Sequence, residues 1–429
     1  MTKLYSIFLQ HPVVTTDSRD CPAGSIFFAL KGERFDGNKY AAAALEKGCA
    51  YAVIDEAQYA VDDRYIVVPD VLAAFQQLAR EHRRTLGTRV IGVTGTNGKT
   101  TTKELIAAVL GRKYRVLYTQ GNFNNDIGVP KTLLRLTAED EMAVVEMGAS
   151  HPGDIKTLVD IVEPDYGIIT NVGMAHLQGF GSFEGVVRTK GELYDKLRQC
   201  SGSRVFIDAD NIHLAKIAGG LTLVKYSVEN QAEDVAVKGE IVDCAPFLHF
   251  RWKAEGTEHE VHTHLVGAYN IYNMLAAATI GLYFGVTPEQ VDEALEGYIP
   301  SNNRSQLTVT KNNSLIVDTY NANPTSMAAA LHNFAIMDVK PKMLILGDMG
   351  ELGEASAGEH RKVAEYLQEQ GFDNVWLVGK EFGNTPCPYR KFPDVAAVKE
   401  EIAQHPVTGH YILIKGSNSM RLFELPELL

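Results

Sequence analysis

The chain has 429 residues, which predicts about three domains at roughly 150 residues per domain. Hydrophobic residues make up 45% of it and charged residues 22%, as in folded globular proteins, and no apolar run approaches the ~20 residues that span a bilayer. The formal net charge of −12 argues against a nucleic-acid-binding surface or attachment to an anionic membrane. Five scattered cysteines form no CxxC pair, so we expect reduced thiols and no cysteine zinc site. No leader-like segment opens the chain, and we therefore expect a cytoplasmic protein.

The first 82 residues predict a small α/β domain, with strands near 25–30 and 52–54 and helices near 41–47 and 71–84. A polar loop that contains Ser18 and Arg19 precedes the first strand. Such loops are usually solvated, and chemistry alone favours that interpretation. The alternative is a site for an anionic ligand, with Arg19 on a phosphate and the Ser18 hydroxyl as a donor.

The next domain, predicted at residues 83–300, begins with VIGVTGTNGKTTTKELIAAVL. A β-branched strand, a glycine-rich turn, a lysine and a helix follow one another as in a phosphate-binding loop, although the usual motif has glycine where Val93 stands. Lys99 would lie along the β- and γ-phosphates, and the Thr100 hydroxyl would contact Mg²⁺. The alternative for Gly-Lys-Thr is an ordinary helix start. The predicted nucleotide-binding residues of this loop are Gly95, Thr96, Asn97, Gly98, Lys99, Thr100 and Thr101.

Polar side chains follow the next predicted strands of this domain. Asn122, Asn124 and Asn125 lie in an amide-rich loop, which predicts either turns or contacts to a polar substrate. Glu146 ends a buried strand, where parallel sheets bind ligands, so it is either a Mg²⁺ ligand or a carboxylate that reaches solvent or caps a helix. His176 follows another strand and is either a loop histidine or a metal or phosphate ligand.

A later helix places Asn270 and Asn273 on one face near its first turn. Asparagine there is often a cap, but two amides on one face could also contact the edge of an adenine ring.

After a break at 298–304, the last domain, predicted at 301–429, alternates strands and helices, which indicates a doubly wound parallel sheet. Its strand ends predict either capping turns or a ligand site. The polar residues there include Asp318, Asn321, Asn323 and Lys415.

These motifs together resemble the Mur ligases, the amide ligases of peptidoglycan synthesis. The motifs that carry the resemblance are TDSR, LKGERFDG, GVTGTNGKTTTKE, GNFNNDIGVPKTLL, VVEMGAS, NVGMAHLQGFGSFEGVVRTKGEL, YNIYNMLAAA, VDTYNANPTSM, LGDMGELGEAS and LIKGSNSMR. They occur in family order over nearly the whole chain. GDMGELG, YNANP and GNFNNDIGVP indicate the member that adds D-alanyl-D-alanine, and the DNPR-like motif of the diamino-acid-adding ligase is missing.

The resemblance implies three α/β domains with separate ligands. The first domain would bind the UDP-sugar of UDP-N-acetylmuramoyl-tripeptide. The central, P-loop ATPase-like domain would bind ATP with Mg²⁺, and the last, Rossmann-like domain would bind the dipeptide. The tripeptide carboxylate would attack the γ-phosphate, and the amine of D-alanyl-D-alanine would then displace phosphate from the acyl phosphate. We expect a monomer without nucleic-acid or membrane partners. Both meso-diaminopimelate and lysine stay open as the third residue of the tripeptide.

By position, the resemblance implies that Lys99 stabilises the transferred phosphoryl group, that Thr100 and Glu146 hold one Mg²⁺, and that His176 serves a second. Lys190, which nothing in its helix singles out, matches a lysine that the family carbamylates, which turns a cation into a metal-binding carboxylate. The other implied contacts are Asn270 and Asn273 to adenine, Arg304 and Asp318 to the nucleotide, and Ser18 and Arg19 to uridine diphosphate. We expect further substrate contacts from Asn122, Asn124, Asn125, Asn321, Asn323 and Lys415.

The chain departs from the family pattern at Tyr269, where histidine is common, and at Asn303, where glycine is common. These departures affect adenine packing and the hinge and remove no charged catalytic group. Two other hypotheses stay open. One is a different Mur-type ligase, such as the diamino-acid adder or a folylpolyglutamate-like or cyanophycin-like enzyme. The other is a P-loop NTPase that regulates or powers another protein without ligation.

Overall fold

Three successive parts of the chain each build their own main sheet, as the alternation of strands and helices predicts. The structure is a computed structural model, and it describes residues 2–33, 35–228, 234–300, 304 and 306–429. The expected α/β class with three sheet-containing domains is confirmed. None of the helices in these ranges combines the length and the apolar character needed to cross a bilayer.

The first sheet has four parallel strands in the order β1-β2-β5-β6, beside a short β3-β4 hairpin. Its elements are α1 (Lys3–Gln10), β1 (Val14–Thr15), β2 (Ile26–Phe28), β3 (Lys31–Gly32), β4 (Phe35–Asp36), α2 (Ala41–Glu46), β5 (Tyr51–Ile54), β6 (Tyr65–Val67) and α3 (Val71–Leu86). Helix α3 ends where Gly87 adopts a left-handed φ of 67°. The boundary predicted after residue 82 therefore falls inside a helix.

The central sheet has nine strands in the order β15-β14-β13-β12-β11-β10-β7-β9-β8. Its strands are β7 (Arg89–Thr94), β8 (Val116–Tyr118), β9 (Met142–Glu146), β10 (Tyr166–Ile169), β11 (Arg204–Asp208), β12 (Leu223–Ser227), β13 (Val237–Cys244), β14 (Phe247–Ala254) and β15 (Thr257–Val266). Its helices are α4 (Lys99–Leu110), α5 (Gly128–Leu133), α6 (Asp154–Val162), α7 (Leu177–Phe180), α8 (Phe183–Arg198), α9 (Ile212–Ile217), α10 (Asn270–Tyr283) and α11 (Pro288–Glu296). Only β13, β14 and β15 pair antiparallel to one another, which extends the parallel sheet on one side.

Strand β7 lies in the middle of the parallel part and is buried on both faces. Its Val90 joins the core shared with α3, α6 and α8, whereas Ile91 and Val93 join the core beneath α4 and α10. A strand covered on both faces is typical of a parallel sheet. Within α4, Ile106 is fully buried, whereas Ala108 is only half-buried.

The last sheet has the order β16-β17-β21-β18-β19-β20, with β16 antiparallel and the other strands parallel. Its elements are β16 (Gln306–Val309), β17 (Ser314–Asp318), α12 (Pro324–Ile336), β18 (Lys342–Gly347), α13 (Ser356–Glu369), β19 (Val375–Val378), α14 (Lys380–Asn384), β20 (Arg390–Phe392), α15 (Val395–Gln404) and β21 (Tyr411–Lys415). The predicted doubly wound sheet is confirmed: one apolar core covers each of its faces.

Candidate active site

The phosphate loop is the turn between β7 and α4, and two of its glycines are sterically required. Gly95 has a φ of 144° and Gly98 a φ of 77°, a region that other residues rarely adopt. A Cβ on Gly95 would lie 2.0 Å from Thr170 Oγ1, and one on Gly98 would lie 2.6 Å from Asn273 Oδ1. The loop therefore packs tightly against its neighbours while its backbone leads into a helix N-terminus, an arrangement suited to phosphate.

The residues that follow β10 hold the phosphate loop in place. The backbone N–H of Asn97 donates to Asn171 Oδ1 at 3.0 Å, and Asn171 Nδ2 donates to the Asn97 carbonyl at 3.0 Å. The Thr170 hydroxyl donates to the same carbonyl at 2.6 Å. Asn171 was not among the predicted site residues, and its position directly after a parallel strand was the available signal.

The side chain of Lys99 folds back over the loop that precedes it. Its Nζ donates to the carbonyls of Gly95 at 2.8 Å and Thr96 at 2.9 Å. Desolvation lowers the pKa of Lys99 to about 8, although the nearby carboxylate of Glu146 opposes the shift. The ammonium is thus held by neutral carbonyls, which it can exchange for a phosphate without breaking an ion pair.

Glu146 ends β9 and offers one carboxylate oxygen that nothing in the described residues hydrogen-bonds. Asn124 Nδ2 donates to its Oε1 at 2.8 Å, whereas the buried Oε2 has no hydrogen-bond partner among those residues. Lys103 Nζ lies 3.8 Å from this oxygen and 3.5 Å from Glu104 Oε1, and Lys103 is itself fully buried. A buried carboxylate oxygen beside a hydroxyl-bearing helix start suits a hard divalent cation.

His176 and Lys190 approach the cavity from α7 and α8. His176 contacts Glu351 of the last domain through Nδ1, and burial lowers the pKa of its imidazole. Lys190 is 2% exposed, and its Nζ lies 3.5 Å from the Ala149 carbonyl and 5.4 Å from the centre of the Phe180 ring. Burial, reinforced by the charge of Lys99, holds the pKa of Lys190 well below its usual value. Burial therefore favours the neutral form of this amine.

The last domain supplies a further group of polar side chains. In β17 and β21, Asp318 and Lys415 are register partners, and Lys415 Nζ lies 2.5 Å from Asp318 Oδ2. Asn323 Nδ2 donates to Asn97 Oδ1 at 2.8 Å, a direct bond to the phosphate loop. The guanidinium of Arg304 lies 3.7 Å from the centre of the Tyr320 ring, and its buried Nε has no hydrogen-bond partner among the described residues.

These groups surround one cavity of about 940 Å³ between the central and last domains. The predicted residues that line it are Thr96, Asn97, Gly98, Lys99, Thr101, Asn124, Asn125, Glu146, His176, Asn270, Asn273, Arg304, Asp318, Asn321, Asn323 and Lys415. The predicted residues outside its lining are Ser18, Arg19, Gly95, Thr100, Asn122 and Lys190. Of these, Thr100 and Lys190 are buried beside it, whereas Asn122 is exposed.

Several predicted contacts serve local structure in this state. Asn273 Nδ2 donates to Asn270 Oδ1 at 2.8 Å and Asn273 Oδ1 accepts from the Thr102 hydroxyl at 2.9 Å, so the pair ties α10 to α4. Asn125 Oδ1 accepts from the backbone of Gly128 at the start of α5. Arg19 pairs with Asp17 at 2.7 Å in the exposed first-domain loop. The departure at Asn303 lies outside the described residues.

Sequence reasoning did not identify Lys103 and Glu351. Lys103 is four residues after Lys99, so the two lie on one face of α4 among apolar positions, which was a usable signal. Glu351 belongs to a motif at the end of β18, but only the packing of two domains brings it to His176.

Three family models match the chain in succession. They are the Mur ligase family catalytic domain over residues 12–83, the Mur ligase middle domain over 93–281, and the Mur ligase glutamate ligase domain over 303–418. The UDP-N-acetylmuramoyl-tripeptide--D-alanyl-D-alanine ligase of Bacillus subtilis (strain 168) is 37% identical, over 96% of this chain and 92% of the relative. The enzyme of that name from Escherichia coli (strain K12) is 35% identical, over 97% and 93%.

Solved structures give the same result. The MurF ligase of Thermotoga maritima in complex with ADP aligns with a TM-score of 0.87 at 26% identity, over 100% of this chain and 98% of that one. A MurF structure from Acinetobacter baumannii aligns with a TM-score of 0.86 at 32% identity, over 96% and 92%. The similarity therefore extends through all three sheets.

Proposed function

Because the chain belongs to the Mur ligase family, we propose that it joins D-alanyl-D-alanine to UDP-N-acetylmuramoyl-tripeptide at the expense of ATP. The observation that carries the proposal is the single cavity in which the phosphate loop and Glu146 face Arg304, Asn323 and Lys415 of the last domain. A nucleotide and an amine acceptor can meet there. Relatives with this activity in their names align over more than nine-tenths of their length.

The chemistry requires activation of a carboxylate, which is a poor electrophile. A tripeptide carboxylate oxygen attacks the γ-phosphorus, the bond to the bridging oxygen breaks, and ADP leaves with that electron pair. The amine nitrogen of D-alanyl-D-alanine then attacks the acyl carbon of the acyl phosphate. Inorganic phosphate leaves with the electrons of its C–O bond, and the amine loses a proton as the amide forms. Both steps build negative charge in a small volume, which fixed cations must balance.

Lys99 and Arg304 supply positive charge in the part of the cavity where the two steps take place. Lys99 would exchange its carbonyl contacts for the β- and γ-phosphates. The guanidinium of Arg304 lies over the Tyr320 ring. Its Nε has no hydrogen-bond partner among the described residues, so it can donate to a phosphate oxygen. Asn270 and Asn273 would contact the adenine, and Asp318 would contact the nucleotide from the last domain. Each of these roles is part of the proposal.

Glu146 and Thr100 would hold one Mg²⁺, and His176 and Lys190 a second. Glu146 Oε2, which accepts no hydrogen bond from the described residues, fits such a cation, and bound Mg²⁺ would neutralise charge between the two reacting anions. The neutral amine of Lys190 can add to the carbon of CO₂ and lose a proton. The product is a carbamate, which replaces a cation by a metal-binding anion. Its low pKa and its burial support this modification.

The remaining substrate contacts complete the proposal. Ser18 and Arg19 would bind the uridine diphosphate, while Asn122, Asn124 and Asn125 would contact the peptide portion. Asn321, Asn323 and Lys415 would orient the dipeptide. The domains would divide after α3, at about residue 87, and at about residue 300. We also infer that the protein is cytoplasmic, since five unpaired cysteines suit a reducing compartment. We infer further that it is a monomer.

The decisive experiment measures phosphate release from ATP and Mg²⁺ with a UDP-N-acetylmuramoyl-tripeptide while only the amine varies. The amines are D-alanyl-D-alanine, meso-diaminopimelate and L-lysine, and one reaction contains none. We expect release that requires the dipeptide, with a product of pentapeptide mass. Release with a single amino acid would assign the chain to a sister ligase. Equal release without any amine would contradict ligation and favour a bare NTPase.

A further inference from the structure

Two histidines and two carboxylates meet on the antiparallel extension of the central sheet. His249 in β14 and His262 in β15 are register partners, and their rings stack with centres 3.8 Å apart. Glu260 lies two residues before His262, on the same face of β15. One ligand atom from each of these three residues lies within 4.8 Å of the other two. Such a trio has the composition of a three-ligand transition-metal site.

The contacts orient the trio around a common point. Glu260 Oε1 lies 2.8 Å from His249 Nε2 and 4.0 Å from His262 Nε2. Tetrahedral ligands at ordinary zinc distances are about 3.3 Å apart, so these separations bracket the required value. His249 is the least exposed member, with 14% of its side chain accessible, while His262 at 69% has room to adjust.

Two further residues, Asp243 and Arg251, hold His249 and Glu260 in position. His249 Nε2 hydrogen-bonds Glu260 Oε1 at 2.8 Å through a proton that a metal ion would displace, while Asp243 Oδ2 accepts from His249 Nδ1 at 3.0 Å. This carboxylate–histidine pair is the arrangement that orients metal-binding imidazoles in many proteins. Arg251 Nε lies 3.3 Å from Glu260 Oε2, so it engages the other carboxylate oxygen and leaves Oε1 for the histidines. Asp243 and Arg251 therefore hold the metal-binding candidates in a defined arrangement, which exposed polar side chains often lack.

The cluster is separate from the cavity described above. Five strand spacings lie between β14 and β7, about 24 Å at ~4.8 Å each. Imidazole ligands favour zinc-like ions over Mg²⁺, which prefers oxygen. We propose that His249, Glu260 and His262 bind one divalent transition-metal ion of the zinc class, with Asp243 as a positioning residue.

The test is a calorimetric titration of Zn²⁺ into the full chain in excess MgCl₂, with the wild type and three variants. His262→Gln removes a ligand, and Asp243→Asn removes the orienting carboxylate. His264→Ala is the matched control, because His264 lies on the same strand and the same face but outside the trio. Thermal melting without zinc verifies that each variant is folded.

We expect one zinc ion per chain to bind to the wild type and to His264→Ala equally. Its affinity should fall about tenfold or more in Asp243→Asn, in line with other orienting carboxylates, and further in His262→Gln. A zinc-dependent rise in the melting temperature should follow the same order. Equal binding to His262→Gln and the wild type, or no binding to the wild type at 100-fold excess zinc over protein, would overturn the proposal. Either outcome is independent of ligase activity.

Discussion

Asn323 Nδ2 donates a 2.8 Å hydrogen bond to Asn97 Oδ1 and so joins the last domain directly to the phosphate loop. The same side chain caps α12, since its Oδ1 accepts from the backbone of Ser326 at 2.9 Å. One residue thus combines a structural and an interdomain contact, and the two can be separated by substitution.

Asn323→Ser should retain the cap but lose the bond to Asn97, because a serine hydroxyl is a good N-cap and is too short to bridge the domains. We expect its KM for ATP to rise about 2- to 10-fold, the equivalent of one neutral hydrogen bond, and its free energy of unfolding to fall by no more than about 1 kcal/mol. Asn323→Ala should show the same KM and lose about 1 kcal/mol of unfolding free energy in addition. A wild-type KM for Asn323→Ser would show that the bond does not assist nucleotide binding.

Local sequence patterns predicted the elements around this contact well. The strand, glycine turn and helix at residues 90–110 depend on neighbouring residues alone, and all three occur as expected. Asn270 and Asn273 share a face because helical periodicity requires it, and they hydrogen-bond each other.

Relationships between distant residues were not predictable in this way. The periodicity of its helix does not distinguish Lys190 from other lysines. Its pKa is lowered by burial and by the charge of Lys99, and both depend on the tertiary fold. The contact of His176 with Glu351 joins residues of different domains. The resemblance to a family supplied roles for His176 and Lys190, whereas the contacts of Lys103 and Glu351 depend on the folded structure.

Lys103 should stabilise the fold through Glu146. Lys103→Met leaves a buried carboxylate without its nearest cation, at a distance of 3.8 Å in the wild type, so we expect a loss of about 3 kcal/mol in unfolding free energy. The double variant Lys103→Met/Glu146→Gln should recover most of this loss, because no unpaired charge stays buried. Chemical denaturation without nucleotide measures both. Equal stability of the single and double variants would contradict the coupling.

The rate should depend on the protonation of Lys99. Its pKa of about 8 means that the ammonium is lost as the pH rises through that value, so kcat/KM for ATP should fall above pH 8. Lys99→Arg keeps its charge to much higher pH and should lack this fall, whatever its absolute rate. Lys99→Ala should melt normally and lose ligation. Substantial turnover in folded Lys99→Ala would contradict the assigned role.

The proposed carbamylation of Lys190 would make activity depend on dissolved CO₂. Removal of bicarbonate should lower kcat reversibly, and the neutral amine that burial favours should react again when bicarbonate returns. Isotopically labelled bicarbonate should give a carbamate carbon signal in the wild type that is absent from Lys190→Arg. Lys196→Arg is a matched control on the same helix, where the lysine instead pairs with Asp160. Full activity without bicarbonate would contradict the modification.

The contact between His176 and Glu351 should matter for turnover more than for folding. Glu351 has a φ of 61°, which costs an L-residue roughly 1 kcal/mol, so Glu351→Gly should keep or raise the unfolding free energy. The same variant removes the carboxylate that orients His176, and we expect kcat at saturating ATP and amine to fall about 10-fold or more.

Glu351→Gln separates charge from position at this contact. The amide can contact His176 Nδ1 without a charge, so kcat should lie between those of the wild type and Glu351→Gly if orientation contributes. Steady-state kinetics and chemical denaturation on the same preparations measure the two effects together. A glycine variant that is stable and fully active would show that His176 needs no partner from the last domain. A loss of activity that follows a loss of stability would instead assign Glu351 a purely structural role.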